Sequence, residues 1–211
     1  MKRYFRYLAL LDVVGISLLV PLFIWRLQFS VPRSWLVFPV WIALSFLLHG
    51  DTPRTLGCRA DNLWPAFRQA TAALLILAAA LLGTGAILGT ITAAPAYLFS
   101  WRRQGLYLAF CLLQQVALQS FLNNRLLALI PHRAASSLLA GAIFAAAHWP
   151  NPVLVPVTFA GGTVLAWLFA RERNVIPLAI AQALLGSLLW ICFPVEWHHR
   201  MRVGPAYYRP F

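Results

Sequence analysis

Gln114-Gln115-Val116-Ala117-Leu118-Gln119-Ser120-Phe121-Leu122-Asn123-Asn124-Arg125-Leu126 is the stretch on which the reading of this chain turns. It lies in an apolar run from about Gly105 to Ile130, longer than the roughly 20 residues a bilayer crossing needs. At about 100° per residue, Gln115, Gln119 and Asn123 fall at i, i+4 and i+8 on one face, with Gln114 beside them. Amides turned toward lipid would lack hydrogen-bond partners, so this face is expected to point into a helical bundle.

The rest of the chain has the composition such a bundle requires. Of 211 residues, 61% are hydrophobic and 10% charged, against about 25% charged in an ordinary soluble domain. Together with a mean hydropathy of +0.74, this excludes a soluble globular protein, a disordered tail and a coiled coil. Seventeen basic residues against five acidic ones give a net charge of +12. The arginines stand singly or in pairs between apolar runs, so they read as charges flanking membrane spans. Membrane lipid is therefore an expected partner and nucleic acid is not.

Six further apolar stretches accompany the first. They cover about Tyr7–Trp25, Trp35–Leu48, Ala70–Ile91, Ala134–Trp149, Val153–Ala170 and Val175–Phe193. The expected fold is an all-α polytopic bundle of about seven to eight transmembrane helices, one domain over residues 1–211. A polar segment from His49 to Gln69, with Pro53 and Gly57, reads as a loop outside the membrane. Trp149-Pro150-Asn151-Pro152 reads as a turn, and the tail histidines His198 and His199 as interfacial. Small residues such as Gly161 and Gly162 permit close helix approach. No internal repeat is visible, which disfavours an inverted-repeat transporter.

Asp12, Asp51, Asp61, Glu172 and Glu196 are all the carboxylates the chain has. Only Asp12 falls within a span, so a mechanism built on two buried carboxylates is not expected. Cys58, Cys111 and Cys192 show no CxxC spacing and read as small packing residues. One imidazole, His148, stands at the end of the fifth stretch one turn after Phe144, and Gln182 lies in the last. The interior is thus expected to be a patch of amides, Gln114, Gln115, Gln119, Asn123 and Gln182, around His148. Such a set is a poor divalent-metal site, and no cofactor is expected.

These residues resemble the CPBP family of intramembrane proteases (CAAX-protease and bacteriocin-processing, or Abi) over about residues 105–193. Gln114 to Leu126 is similar to its first motif, Glu-Glu-x-x-x-Arg followed by an aromatic and an Asn-Arg-Leu-like end. Phe144 to His148 is similar to the second, Phe-x-x-x-His. The stretch from Phe159 to Gln182, with Gly161-Gly162, Trp167, Arg171 and Asn174, is similar to the third, which normally ends His-x-x-x-Asn. Leu56-Gly57 is similar to a short turn many members carry. In active members the resemblance implies a Glu that activates water, with histidines and Asn organising the nucleophile and oxyanion.

Here the Glu pair is Gln114-Gln115, the Arg position is Gln119, the third-motif His is Gln182 and its Asn is Gly186. His148 alone keeps a catalytic position. An amide cannot accept a proton near neutral pH and cannot replace a general base. The resemblance therefore implies a non-catalytic, pseudoprotease-like multi-pass protein, a subunit or stabilising partner of another membrane protein, in a bacterial inner membrane. The alternative is an intramembrane endopeptidase with altered chemistry, acting on a CAAX-type tail or a leader peptide.

Overall fold

A computed structural model describes the backbone of residues 2–94 and 96–210 and the side chains of residues 3–94 and 98–210; Met1 and the Lys2 side chain of the basic start lie outside these. All regular structure among the described residues is helical. Helix α1, Lys2–Leu22, continues through a π-helical turn, Phe23–Leu27, to Ser30. Helix α2 is Val37–His49, ended by Gly50 in the left-handed region at φ 64°. The short α3, Pro53–Leu56, is held by a capping box in which Thr52 and Thr55 exchange backbone-to-hydroxyl hydrogen bonds. There follow α4, Leu63–Leu88; α5, Trp101–Leu129; α6, Arg133–Ala146; α7, Leu154–Glu172; α8, Val175–Cys192; and the one-turn α9, Val195–His198. Five of the helical stretches are long and apolar enough to cross a membrane, and two shorter apolar ones are Ser34–His49 and Arg133–Ala146.

Two elements depart from the sequence reading. Helix α4 starts at Leu63 and not near Ala70, so the polar segment is shorter than expected. Its first turns bury Ala66 and Ala70, Arg68 stays exposed, and Gln69 Nε2 donates to Glu172 Oε1 at 2.8 Å. The polar residues that resembled a loop thus form one face of a helix end. Helix α5 is not a regular α-helix, because Val116–Asn123 is π-helical. Such wide turns are uncommon and concentrate at functional sites.

Helix α5 is the centre of the packing. Every residue from Leu118 to Leu126 is buried, as expected for a helix surrounded by others. Phe121, Leu122 and Leu126 form one core with Val13 and Ile16 of α1, Ala140 of α6 and Ala166 of α7. Helices α6 and α7 approach closely at Gly141, where a Cβ would stand 2.1 Å from Thr163 Oγ1. Small residues supply this closeness where no hydrophobic force drives helices together in lipid.

A buried charge cluster joins the N-terminal helices to α5. The Arg125 guanidinium, 3% exposed as a residue, donates from Nε to Asp12 Oδ2 at 3.2 Å and from Nη2 to Asp51 Oδ2 at 2.6 Å. Ser45 Oγ donates to Asp12 Oδ2 at 2.6 Å and accepts from Arg125 Nη2 at 2.9 Å. Trp41 Nε1 donates to Asp12 Oδ1 at 2.9 Å. His49 Nε2 lies 3.2 Å from the same carboxylate without hydrogen-bond alignment. The expectation that no two carboxylates are buried together is therefore corrected. Asp51, assigned to a loop, folds back so that its side chain is only 9% exposed. The permanent guanidinium charge accounts for this, since it has to be compensated wherever it is buried.

The segment that follows is tied down as well. Asn124 Nδ2 donates to Thr55 O at 2.8 Å and Ser120 Oγ to Leu56 O at 2.5 Å. Asn174 Nδ2 donates to Arg59 O at 2.8 Å and to Asn62 Oδ1 at 2.9 Å. Gly57, at φ 74°, brings its backbone where a Cβ would strike the Phe169 ring at 2.6 Å. On the exposed rim, the hydrogen bond from Arg59 holds the Asp61 carboxyl down at about 2.

Arg125→Met should lower stability by about 3–5 kcal/mol, because it strands two buried carboxylates. Adding Asp12→Asn and Asp51→Asn to it should restore most of the loss. Thermal unfolding in a fixed detergent measures both, and a wild-type midpoint for Arg125→Met alone would contradict this account.

Candidate functional site

The side chains singled out in the sequence fall into three groups, not one. The first joins α5 to α8. Gln115 Nε2 donates to Gln182 Oε1 at 2.6 Å, and Gln182 Nε2 donates to Gln114 Oε1 at 2.6 Å. The three amides form a head-to-tail chain, and Gln115 is fully buried. An amide can donate and accept at once, so the central Gln182 links the other two without any ionised group.

The second group lies one turn further along, on the π-helical stretch. Asn123 Nδ2 donates to Gln119 Oε1 and to Ala166 O of α7, both at 3.0 Å. Gln119 and Asn123 are fully buried. Gln115 Oε1, Gln119 Nε2 and Asn123 Oδ1 have no hydrogen-bond partner among the described residues. Ser120 and Asn124, the next residues on this wide turn, reach instead for the 52–62 segment described above. One face of α5 therefore holds the interior, and the adjacent face holds the loop.

The third group is Phe144 and His148, at the end of α6. His148 Nδ1 lies 2.7 Å from Phe144 O, and the two rings meet edge to face with centroids 4.7 Å apart. A carbonyl only accepts, so Nδ1 carries the proton and Nε2 is the basic nitrogen. Phe144 packs on Gly162 of α7, where a Cβ would lie 3.0 Å from its ring. No hydrogen bond joins His148 to the amides among the described residues. The expected amide shell around the imidazole is thus replaced by an amide chain between α5 and α8 and a histidine turned onto its own helix end.

The position that the resemblance aligns with the family Asn is Gly186 of α8. A Cβ there would stand 1.9 Å from Tyr107 Oη and 2.9 Å from Tyr107 Cζ. Tyr107 of α5, packed with Cys111, Ala179 and Ala183, thus fills the space in which a side chain at 186 would begin. In the sequence, one tyrosine seven residues before the amide motif carries no signal of its own.

In the sequence, Asn151 reads only as part of a turn. It is fully buried, and its Oδ1 accepts from the backbone of Val153 at 3.1 Å and Leu154 at 3.0 Å, capping α7. Its Nδ2 donates to His198 O at 2.7 Å and Arg202 O at 3.0 Å, which clamps the C-terminal segment over the turn after His148. Between those two carbonyls, His199, Arg200 and Met201 all adopt positive φ, a costly conformation for residues with a Cβ that needs surrounding structure to persist. His198, expected at an interface, is instead fully buried against Trp190, and desolvation pushes its pKa down.

With this geometry in view, residues 98–188 match the family model described as type II CAAX prenyl endopeptidase Rce1-like. This part of the chain belongs to the CPBP family. No curated protein and no solved structure matches the chain. The match spans the amide stretch of α5, the Phe144–His148 turn and α8 through Gln182 and Gly186, in the order the motifs predict.

Gly186→Asn should destabilise the CPBP region by at least about 1–3 kcal/mol, the range for overpacking a filled core. Combining it with Tyr107→Ala should recover much of that loss. A double-mutant cycle by thermal unfolding checks the pairing, and strict additivity would contradict it.

Proposed function

We propose that this multi-pass CPBP-family protein is non-catalytic and acts as a subunit, assembly factor or stabilising partner of another membrane protein complex. Its proposed setting is a bacterial inner membrane. The observation that carries the reading is the Gln115–Gln182–Gln114 chain. Where the family pattern places two carboxylates and a histidine, this chain has three amides linked by two hydrogen bonds. None of them exchanges a proton near neutral pH, so none can activate water. The Tyr107 hydroxyl against Gly186 supports the same reading, because it occupies the space of the family Asn. Losing several members of a catalytic constellation leaves little beyond positioning.

The preserved framework is consistent with a binding role. The close α6–α7 contact, the buried Arg125 cluster and the amide chain keep a rigid bundle with no remaining use for proton transfer. A broad apolar exterior with small-residue surfaces is available for helix contacts inside the bilayer. A second reading, an endopeptidase acting on a CAAX-type tail or leader peptide, rests on His148, whose Nε2 is left as a base.

Gentle solubilisation of native membranes and affinity capture of this chain, followed by mass spectrometry, tests the proposal. It should recover a membrane protein in fixed stoichiometry, and His148→Ala should capture it equally well. Recovery of the chain alone as a monodisperse monomer would overturn the proposal.

A further inference from the structure

A groove of about 730 Å³ lies between α4, α7, α8 and the C-terminal segment, within the usual size range of ligand sites. Its walls are apolar side chains, including Leu81 of α4, Val157 of α7, Leu185 of α8 and Phe193. Ala160 and Gly161 floor it on α7, and a Cβ on Gly161 would meet nothing within 4 Å. The third side is the clamped C-terminal segment, which contributes Glu196, Trp197 and Tyr207. The groove therefore runs along α4, α7 and α8 to the end of α8, where Trp197 and Tyr207 are of the residue types that favour a membrane interface.

Glu196 is the one carboxylate in this lining, which holds no Lys, Arg or His. It is exposed, and no ion pair or hydrogen bond engages its carboxylate among the described residues. That isolation is unusual in a chain with 17 basic residues and five acidic ones. His198, two residues on, is fully buried, and desolvation pushes its pKa down. An apolar trough that ends at an unpaired carboxylate complements an amphiphile with an apolar chain and a cationic head.

We infer that the groove is a lipid site that takes one acyl chain of a phospholipid along Ala160 and Gly161 and its ammonium headgroup at Glu196. The chain is held by shape and burial, and the headgroup preference comes from the carboxylate. This inference does not depend on whether the CPBP region is catalytic, since neither Glu196 nor Gly161 belongs to the amide or histidine groups.

The test is native mass spectrometry of the full chain taken from vesicles of equal parts phosphatidylethanolamine and phosphatidylglycerol with identical acyl chains. The wild type should retain one lipid, with phosphatidylethanolamine enriched several-fold over the vesicle ratio. Glu196→Gln should still retain a lipid but at the vesicle ratio. Gly161→Phe, which fills open space, should lose the lipid while keeping the wild-type unfolding midpoint; Gly161→Ala, which leaves the trough open, should retain it. Retention at the vesicle ratio by the wild type, or no retention, would overturn the inference. So would a headgroup preference that survives Glu196→Gln, or a lipid that survives Gly161→Phe.

Discussion

Arg125 imposes the constraint on which the rest of the bundle depends. A guanidinium cannot shed its charge, and at 3% exposure it cannot be hydrated by bulk water. Two carboxylates have to come to it, and they arrive from different places: Asp12 from the middle of α1 and Asp51 from just beyond α2. Satisfying one charge therefore fixes α1 and α2 against α5. It also starts the 52–62 segment on the path that lets Asn124, Ser120 and Asn174 hold it. Such clusters are weak sources of net stability but strong sources of registry, because removing one member leaves the others buried and uncompensated.

The interior changes character along α5. Arg125 lies ten residues further along α5 than Gln115, beyond the π-helical stretch. At the Arg125 end the interior is ionic and locked by carboxylates. Midway along the helix it is neutral, and amides from α5 and α8 bond to one another. At the far end α6 and α7 meet at the His148–Asn151 turn, where the C-terminal segment is clamped and the apolar groove opens. Of the catalytic positions of the CPBP pattern, only that of His148 thus carries an ionisable side chain.

Much of this architecture was legible in the sequence. The apolar runs located the seven helical stretches because hydropathy over a span is a local property. The spacing of Gln115, Gln119 and Asn123 correctly turned that face inward, since unpaired amides in lipid are costly. What escaped was non-local or geometric. Asp12 and Asp51 belong with a residue more than 70 positions away, and nothing near either one announces it. The π-helical turn shifts Ser120 and Asn124 onto the loop, which a uniform 100° wheel does not represent. The onset of α4 was hidden because Arg68 and Gln69 look like loop residues when they occupy the solvated face of a helix start. The Tyr107–Gly186 contact and the Asn151 clamp depend on which helices adjoin, and His148 faces its own helix end for the same reason.

The central claim is that the amide-substituted CPBP framework performs no proteolysis. The most direct measurement is a comparison of peptide termini in membranes that contain the wild-type chain, the His148→Ala chain, or no chain. The account predicts the same set of termini in all three. A terminus that appears only with the wild-type chain and disappears with His148→Ala would contradict it, because the histidine would then be acting as a base despite the missing carboxylates.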